Sequence, residues 1–207
     1  MTKEDKLYPL EIKDIKQIPK EKVIAAKIGA ESDNYLMYAI KRKRLDILKF
    51  LLRDVHEMDF AYKNSMGMSV MHLAIRANSP AMVKLLCLQN HKNTETIDKV
   101  VQNAKIDDIK GNLNIKMLVK LLTLTNNKGF TPLATAVDHG NYEIFRFIFE
   151  LYIHIQRTQA RHPILSQIFS SKGAKLQETV LIKAIRLLRV EMAYSMLHLV
   201  GPGDLSS

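Results

Sequence analysis

The segment GFTPLATAVDHGNYEIF, residues 129–145, carries the start and stop signals of two consecutive helices. Thr131 can cap a helix with its hydroxyl group, and Pro132 follows at the first helical position, where its missing N–H group costs nothing. Apolar residues then recur every three or four positions, as on one face of a helix. Gly140 can adopt the left-handed conformation that ends a helix and reverses the chain. The segment is therefore predicted to be a helix–turn–helix pair.

The same frame recurs three more times along the chain. It is anchored by an alanine in the first helix of each pair, and the aligned alanines are Ala39, Ala74, Ala136 and Ala184. Their residue numbers differ by 35, 62 and 48. Each pair can bury its apolar face only against its neighbours, so the pattern predicts an all-α solenoid of stacked units with one continuous core.

This frame resembles the ankyrin repeat, whose signature is a glycine, Thr-Pro-Leu-His-x-Ala, a glycine turn and a leucine-rich second helix, with a period of about 33 residues. Residues 126–149 match almost completely, with Ala134 in place of the histidine, and residues 65–87 keep the glycine and the histidine. The outer copies have Lys43 and Leu188 at the turn. A side chain costs about 1–2 kcal/mol in the left-handed conformation, so we expect those two turns to deviate from it.

The resemblance and the spacings together predict the domain organisation. An N-terminal extension or cap (1–31) precedes the ankyrin-repeat domain (32–200), and a tail (201–207) follows it. Four repeats are expected near 32–64, 65–93, 126–157 and 175–200, with a degenerate helical unit over 94–125 and an insert over 158–174. We also expect a helix over 20–30, an overlong helix through 152–155 and a short helix near 162–165.

Catalytic and ligand-binding patterns were sought in the sequence, and none was found. Cys87 follows two leucines on a second helix, which indicates core packing rather than a nucleophile. The histidines lack metal-ligand spacing, and no glycine-rich phosphate loop occurs. We therefore expect no enzyme, metal, cofactor or small-molecule substrate. The resemblance implies that His72 makes a hydrogen bond to backbone that ties adjacent loops together.

The composition indicates a folded chain that favours acidic partners. Of 207 residues, 47% are hydrophobic and 25% are charged, and the net charge is +10. Such a charge attracts acidic partners but says nothing about fold. No apolar run approaches the roughly 18 residues of a membrane span, and a single cysteine suits a reducing compartment. We expect a cytoplasmic monomer without a membrane span.

In the ankyrin frame, the ends of the first helices and the hairpin tips form a concave ledge, where we expect a protein partner to bind. Lys41, Arg76 and Arg186 align along this ledge, and Asp138 interrupts the series. The candidate partner-binding residues are Lys41, Arg42, Met66, Met68, Arg76, Lys128, Phe130, Asp138, His139 and Arg186. The basic run at residues 41–44 has two other interpretations, a solvated corner and a nuclear address.

Apolar residues flank the glycines of two predicted hairpin tips, at 65–68 and 126–130. Exposed side chains there would form a binding hot spot. Met66, Met68 and Phe130 are the candidates, with Lys128 beside them. The alternative is that Met68 and Phe130 fold back on the next repeat.

The resemblance implies a noncatalytic protein–protein interaction module, and the basic ledge points to an acidic protein surface. The Lys/Ile/Asn-rich character also gives a loose resemblance to ankyrin-repeat effectors of intracellular bacterial pathogens, which implies secretion into a host cell. The alternative function is charge-driven nucleic-acid binding. Aromatic residues do not interleave the basic residues of the ledge, so a stacking platform for single strands is missing.

Overall fold

The structure is a computed structural model that describes residues 11–55, 58–88, 114–158 and 178–198. Within these ranges the regular secondary structure is α-helical, apart from one isolated bridge between Ile28 and Asp33, and turns and loops connect the helices. The helices are α1 (Ile12–Ile15), α2 (Lys20–Ala25), α3 (Tyr35–Lys41), α4 (Leu45–Asp54), α5 (Val70–Arg76), α6 (Pro80–Cys87), α7 (Ile115–Thr123), α8 (Pro132–His139), α9 (Tyr142–Thr158), α10 (Val180–Arg186) and α11 (Val190–His198). The predicted all-α class is confirmed.

Four helix pairs stack in two layers. The first helices α3, α5, α8 and α10 pack on one another in that order, and the second helices α4, α6, α9 and α11 lie behind them. The residues between the layers form one continuous apolar cluster, in which the aligned alanines are fully buried. The predicted solenoid of helix pairs is confirmed.

Each first helix begins at a polar side chain that caps it. Asn34, Ser69, Thr131 and Thr179 each accept a hydrogen bond from the backbone N–H group three residues further on. Pro132 occupies the first turn of α8, as predicted. Because a cap satisfies an N–H group that would otherwise lack a partner, these four positions fix where the helices start.

The turn between the two helices of each pair has a left-handed residue in all four pairs. The φ angle is 70° at Gly140, 54° at Asn78, 55° at Lys43 and 54° at Leu188. The expectation that the turns at Lys43 and Leu188 would deviate is therefore wrong. Both helices of each pair contribute to the same buried cluster, and that burial outweighs a local cost of about 1–2 kcal/mol.

The second and third pairs are in direct contact, because α5 packs against α8. The predicted unit over 94–125 is therefore not a layer between them in the described stack; of that unit, residues 94–113 lie outside the described residues. The described part of the unit contains α7. The Tyr152 hydroxyl donates a hydrogen bond of 2.5 Å to the carbonyl of Leu122, a residue of α7. Tyr152 lies on α9, whose 17 residues confirm the predicted overlong helix.

The N-terminal segment differs from the expectation of one helix over 20–30. Helix α2 ends at Ala25, because the backbone becomes extended at Ala26 (ψ 134°). Residues 28–33 instead form a hairpin tip that leads into α3. The short helix near 162–165, most of the insert over 158–174 and the tail over 201–207 lie outside the described residues.

Candidate partner-binding surface

Three hairpin tips precede the first three pairs, at residues 28–33, 64–68 and 126–130. In the second and third tips an asparagine side chain holds the turn together. The amide oxygen of Asn64 accepts from the N–H groups of Met66 and Met68, and the amide oxygen of Asn126 accepts from the corresponding groups of the next tip. Both predicted tips are confirmed.

Neighbouring tips are linked by hydrogen bonds that cross from one repeat to the next. The Ser65 N–H group donates to the Glu31 carbonyl at 2.9 Å, and the Asn127 amide donates to the Ser65 carbonyl at 3.3 Å. The Lys63 ammonium also donates to the Thr125 carbonyl at 2.5 Å. The tips therefore form a fixed edge beside the first helices, on which exposed side chains keep defined positions.

His72 ties the second repeat to the third. Its Nε2 lies 2.8 Å from the Phe130 carbonyl and its Nδ1 lies 2.7 Å from the Ser69 hydroxyl. A carbonyl can only accept, so Nε2 carries the proton and Nδ1 accepts from Ser69. Burial lowers the pKa of His72 to about 4, so the ring is neutral at pH 7. The role implied for His72 by the ankyrin resemblance is confirmed.

Two predicted cations of the ledge form ion pairs with carboxylates of their own repeat. The Lys41 ammonium pairs with Glu31 at 2.6 Å and with Asp33. Burial alone would lower the pKa of Lys41, but its hydrogen bonds to these carboxylates raise it instead. Arg186 donates two hydrogen bonds of 2.8 Å to Glu178, which hold the pKa of that carboxyl below its usual value.

Arg76 differs from both. Its side chain is exposed and makes no ion pair or hydrogen bond within the part of the chain that the structure describes. In the outer repeats an acidic residue stands eight positions before the cation, as Asp33 before Lys41 and Glu178 before Arg186. In the second repeat that position is Met68, so Arg76 has no carboxylate of its own repeat at that position.

The third repeat has a negative charge, Asp138, at the position aligned with Arg76, and this residue also forms an ion pair. Asp138 lies 2.7 Å from the ammonium of Lys183, a residue of the fourth repeat whose side chain is only 3% exposed. The same ammonium is 3.7 Å from Glu178 and lies over the Phe130 ring, 3.8 Å from its centroid. His139 follows Asp138 at the end of α8 and is exposed.

The structure divides the predicted tip residues. Met66 is 45% exposed and Lys128 is exposed, whereas Met68 is only 5% exposed and lies 3.6 Å from the Asn126 amide of the next tip. The expectation that Met68 is exposed is wrong, because it folds back on the next repeat, which is the alternative considered above. Phe130 is half-buried beneath Lys183, so it belongs partly to the core.

The remaining predicted residue, Arg42, lies beside an open groove of about 300 Å³ between the first hairpin tip and α3. Its guanidinium is 5.1 Å from the centroid of the Tyr38 ring, within cation–π distance. Lys41 and Glu31 line the same groove. The groove therefore contains both signs of charge.

Four charged residues of this surface were missed from the sequence: Glu31, Asp33, Glu178 and Lys183. A signal for two of them was present, because Asp33 and Glu178 directly precede the cap residues Asn34 and Thr179. Lys183 had no such signal, since it aligns with buried Tyr38, Leu73 and Thr135.

The described residues contain one buried cysteine and no cluster of potential metal ligands. Cys87 is buried, and burial raises the pKa of its thiol to about 12, so it is a core residue as predicted. Groups of three or more potential metal ligands do not occur among the described residues. Within the same ranges, every helix is too short or too polar to cross a membrane.

Comparison with known sequences agrees with the repeated helix pairs. The family description "Ankyrin repeats (3 copies)" matches residues 15–100. Residues 15–100 of the chain carry ankyrin repeats. Among solved structures, it is similar to the ankyrin repeat domain of Bcl-3, described as a unique member of the IkappaB protein family. Sequence identity is 19% and the TM-score 0.35, over 80% of this chain and 71% of that one. Ankyrin repeats are generally protein–protein interaction modules and are typically noncatalytic.

Proposed function

We propose that this chain is a noncatalytic interaction module that binds an acidic protein surface through its ledge, with Arg76 at the centre. The observation that carries the proposal is that Arg76 is exposed and without an ion pair among the described residues, whereas the cations at the equivalent positions are paired. A partner carboxylate at Arg76 gains a charge-assisted hydrogen bond without first breaking one inside the chain.

Exposed residues beside the second repeat complete this binding surface. Met66 and Lys128 stand on adjacent tips that are joined by the hydrogen bond from Asn127 to Ser65. Met66 supplies an apolar contact and Lys128 a second positive charge. The paired residues Lys41, Asp138 and Arg186, with Arg42 and His139 beside them, form the polar rim, where charges steer encounter more than they add affinity.

The charges and apolar residues of this surface define the class of protein partner that fits it. An acidic patch that surrounds one apolar contact fits the surface around Arg76 and Met66. The loose sequence resemblance to effectors of intracellular bacterial pathogens makes host-cell proteins the first class to screen. Nucleic acid remains the alternative partner, because a net charge of +10 also attracts phosphates.

The experiment is affinity purification from host-cell lysate with three baits, followed by mass spectrometry. The baits are the wild-type chain, Arg76→Glu and Arg146→Glu. Arg146 is an exposed arginine on the second-helix layer, so its reversal makes the same change in net charge away from the ledge. We expect proteins captured by the wild type and by Arg146→Glu to be lost with Arg76→Glu.

Equal capture by all three baits would contradict a ledge centred on Arg76. Capture that depends on net charge alone, with equal loss in both variants, would favour nonspecific electrostatic binding. Nucleic-acid binding is tested separately by salt, since duplex affinity falls by roughly 0.9 logarithmic units per neutralised phosphate for each tenfold rise in salt. Tight, sequence-dependent binding at physiological salt would favour the alternative function.

A further inference from the structure

The fourth repeat has an apolar surface that the other repeats lack. Six large apolar side chains in α10, α11 and the turn between them are exposed: Ile182, Ile185, Leu188, Val190, Tyr194 and Leu197. They account for six of the eight large hydrophobic side chains that are exposed among the described residues. We call these six residues the end face, because they lie on the last helix pair that the structure describes.

Part of the end face continues the interface between repeats. Ile185 aligns with Ile75 and Val137, which are fully buried, and Leu197 aligns with Phe149, which is also fully buried. In the first three pairs these positions are covered where one repeat meets the next. Terminal repeats of a solenoid are expected to have a polar outer face. In the last pair that the structure describes, the outer face carries exposed apolar side chains instead.

The other part is apolar where the preceding repeats are polar. Tyr194 is 60% exposed and aligns with Lys49, Lys84 and Arg146, which are all cations. Leu188 is 82% exposed and occupies the left-handed turn position. Asn78 and Gly140 occupy the same position in other repeats, and asparagine and glycine adopt this conformation at a lower energetic cost than leucine. At the position of Tyr194, Lys84 of the second repeat pairs with Glu143 of the third and lies near its Phe147 ring. Tyr194 therefore presents an exposed aromatic ring where an inner repeat presents a cation.

The charges at the edge of the end face are arranged symmetrically. Glu191 and His198 are exposed and lie seven residues apart on α11, so they share one side of the helix with Tyr194 between them. Two copies of α11 packed antiparallel about a two-fold axis near Tyr194 would bring Glu191 of each copy opposite His198 of the other. Such a face is self-complementary, as a two-fold interface requires.

We propose that the end face binds a second copy of this chain in an antiparallel two-fold dimer centred on α11. This arrangement buries the six apolar side chains and places Glu191 of each copy opposite His198 of the other. It differs from the monomer expected from the sequence, and it leaves the ledge of both copies free for a partner. The face spans helices of only seven and nine residues, so the dimer interface is a small one.

The test is sedimentation velocity of the full chain over a hundredfold range of concentration. We expect the wild type to shift from monomer to dimer, and Tyr194→Arg to weaken dimerisation by about tenfold or more. That variant installs the type of residue that the other repeats carry at this position, so the fold tolerates it. Met66→Arg adds the same charge at an exposed apolar residue of a hairpin tip and should dimerise as the wild type does.

The antiparallel register has its own test in a charge exchange. Glu191→Lys and His198→Glu should each weaken the dimer, because each places like or unmatched charges opposite one another. The double variant should restore it, because a lysine then faces a glutamate at both places. A wild type that remains monomeric throughout, growth beyond the dimer, or a double variant no better than the singles would overturn the proposal. Circular dichroism of each variant checks that it is folded.

Discussion

The outer and inner repeats of this solenoid use the same ledge position differently. In the first and fourth repeats, an acid at the hairpin or just before the helix cap pairs with the cation at the end of the same helix. In the second and third, that acid is replaced by Met68 and Phe130, which pack on the next repeat. The outer repeats thus neutralise their own charges, whereas the inner repeats leave Arg76 open and pair Asp138 across a repeat boundary.

Sequence alignment of the repeats therefore overestimates how many charged side chains are available to a partner. Three of the four first helices, α3, α5 and α10, have a lysine or arginine at the aligned position in the last turn, where the helix dipole stabilises a cation in any case. Whether that cation is available to a partner depends on the residue eight positions earlier. A methionine there, rather than an aspartate or glutamate, makes the difference for Arg76.

The largest expected effect on stability concerns His72, which links the second repeat to the third. Because the pKa of His72 is about 4 in the folded chain and 6.5 for a free side chain, the unfolded chain takes up the proton first as the pH falls. Stability is fully present above pH 6.5 and should fall by up to about 3 kcal/mol as the pH drops to about 4.

Denaturant midpoints measured from pH 7 to pH 4 check this, with His72→Gln as the control. Glutamine can still donate to the Phe130 carbonyl but does not titrate. Its stability should therefore depend less on pH than that of the wild type. Identical pH profiles for the two proteins would show that His72 is not the group responsible.

A smaller effect is expected at the contact between the third and fourth repeats, where Glu178→Leu should destabilise the chain by about 2–3 kcal/mol. The change removes a carboxylate that pairs with both Arg186 and the buried ammonium of Lys183. Lys183→Met should cost less, since Asp138 can then be solvated and Glu178 keeps Arg186. Thermal unfolding of the two variants tests this asymmetry; a larger loss for Lys183→Met would contradict it.

The left-handed turns give two opposite predictions. Gly140→Val should destabilise the array by about 1–2 kcal/mol, because the φ angle of 70° disfavours a side chain. A Cβ atom there would also lie 2.4 Å from the Arg189 guanidinium carbon. An unchanged denaturation midpoint would show that the turn can rearrange.

The reverse change should stabilise the first repeat. Lys43 occupies the same turn with a φ angle of 55°, and Lys43→Gly should raise stability by about 0.5–1 kcal/mol. The gain is smaller than the loss at Gly140, because glycine also increases the entropy of the unfolded chain. Urea denaturation of this variant beside Gly140→Val measures both; a loss at Lys43 would mean that its side chain makes a contact worth more than the strain.

Most of the fold was predictable, because the signals are local. Thr131, Pro132 and Gly140 mark the start and end of one helix, and apolar spacing places its partners. The hairpin tip at 28–33 was missed because Gly29 stands five residues before the cap Asn34, whereas Gly67 and Gly129 stand two residues before their caps. The left-handed Leu188 could not be predicted from its own propensity, since packing of the two helices imposes it.

The site was less predictable than the fold. The sequence identified the ledge positions but not which of them are neutralised, because ion pairs such as Asp138 with Lys183 join residues of different repeats. Exposure of a tip residue depends on the neighbouring tip as well, and that is why Met66 and Met68 differ. Pairing across repeats is a property of the stack and not of any one repeat.

The direct contact between the second and third pairs has a consequence for the order of folding. The bond from Asn64 to Asp33 joins residues 31 positions apart, whereas that from His72 to the Phe130 carbonyl spans 58. A longer loop costs more entropy to close, about 0.6 kcal/mol for each doubling, and distant contacts form late. We therefore expect the two halves of the array to nucleate separately and to join last at His72, so this boundary should be the first to open under stress.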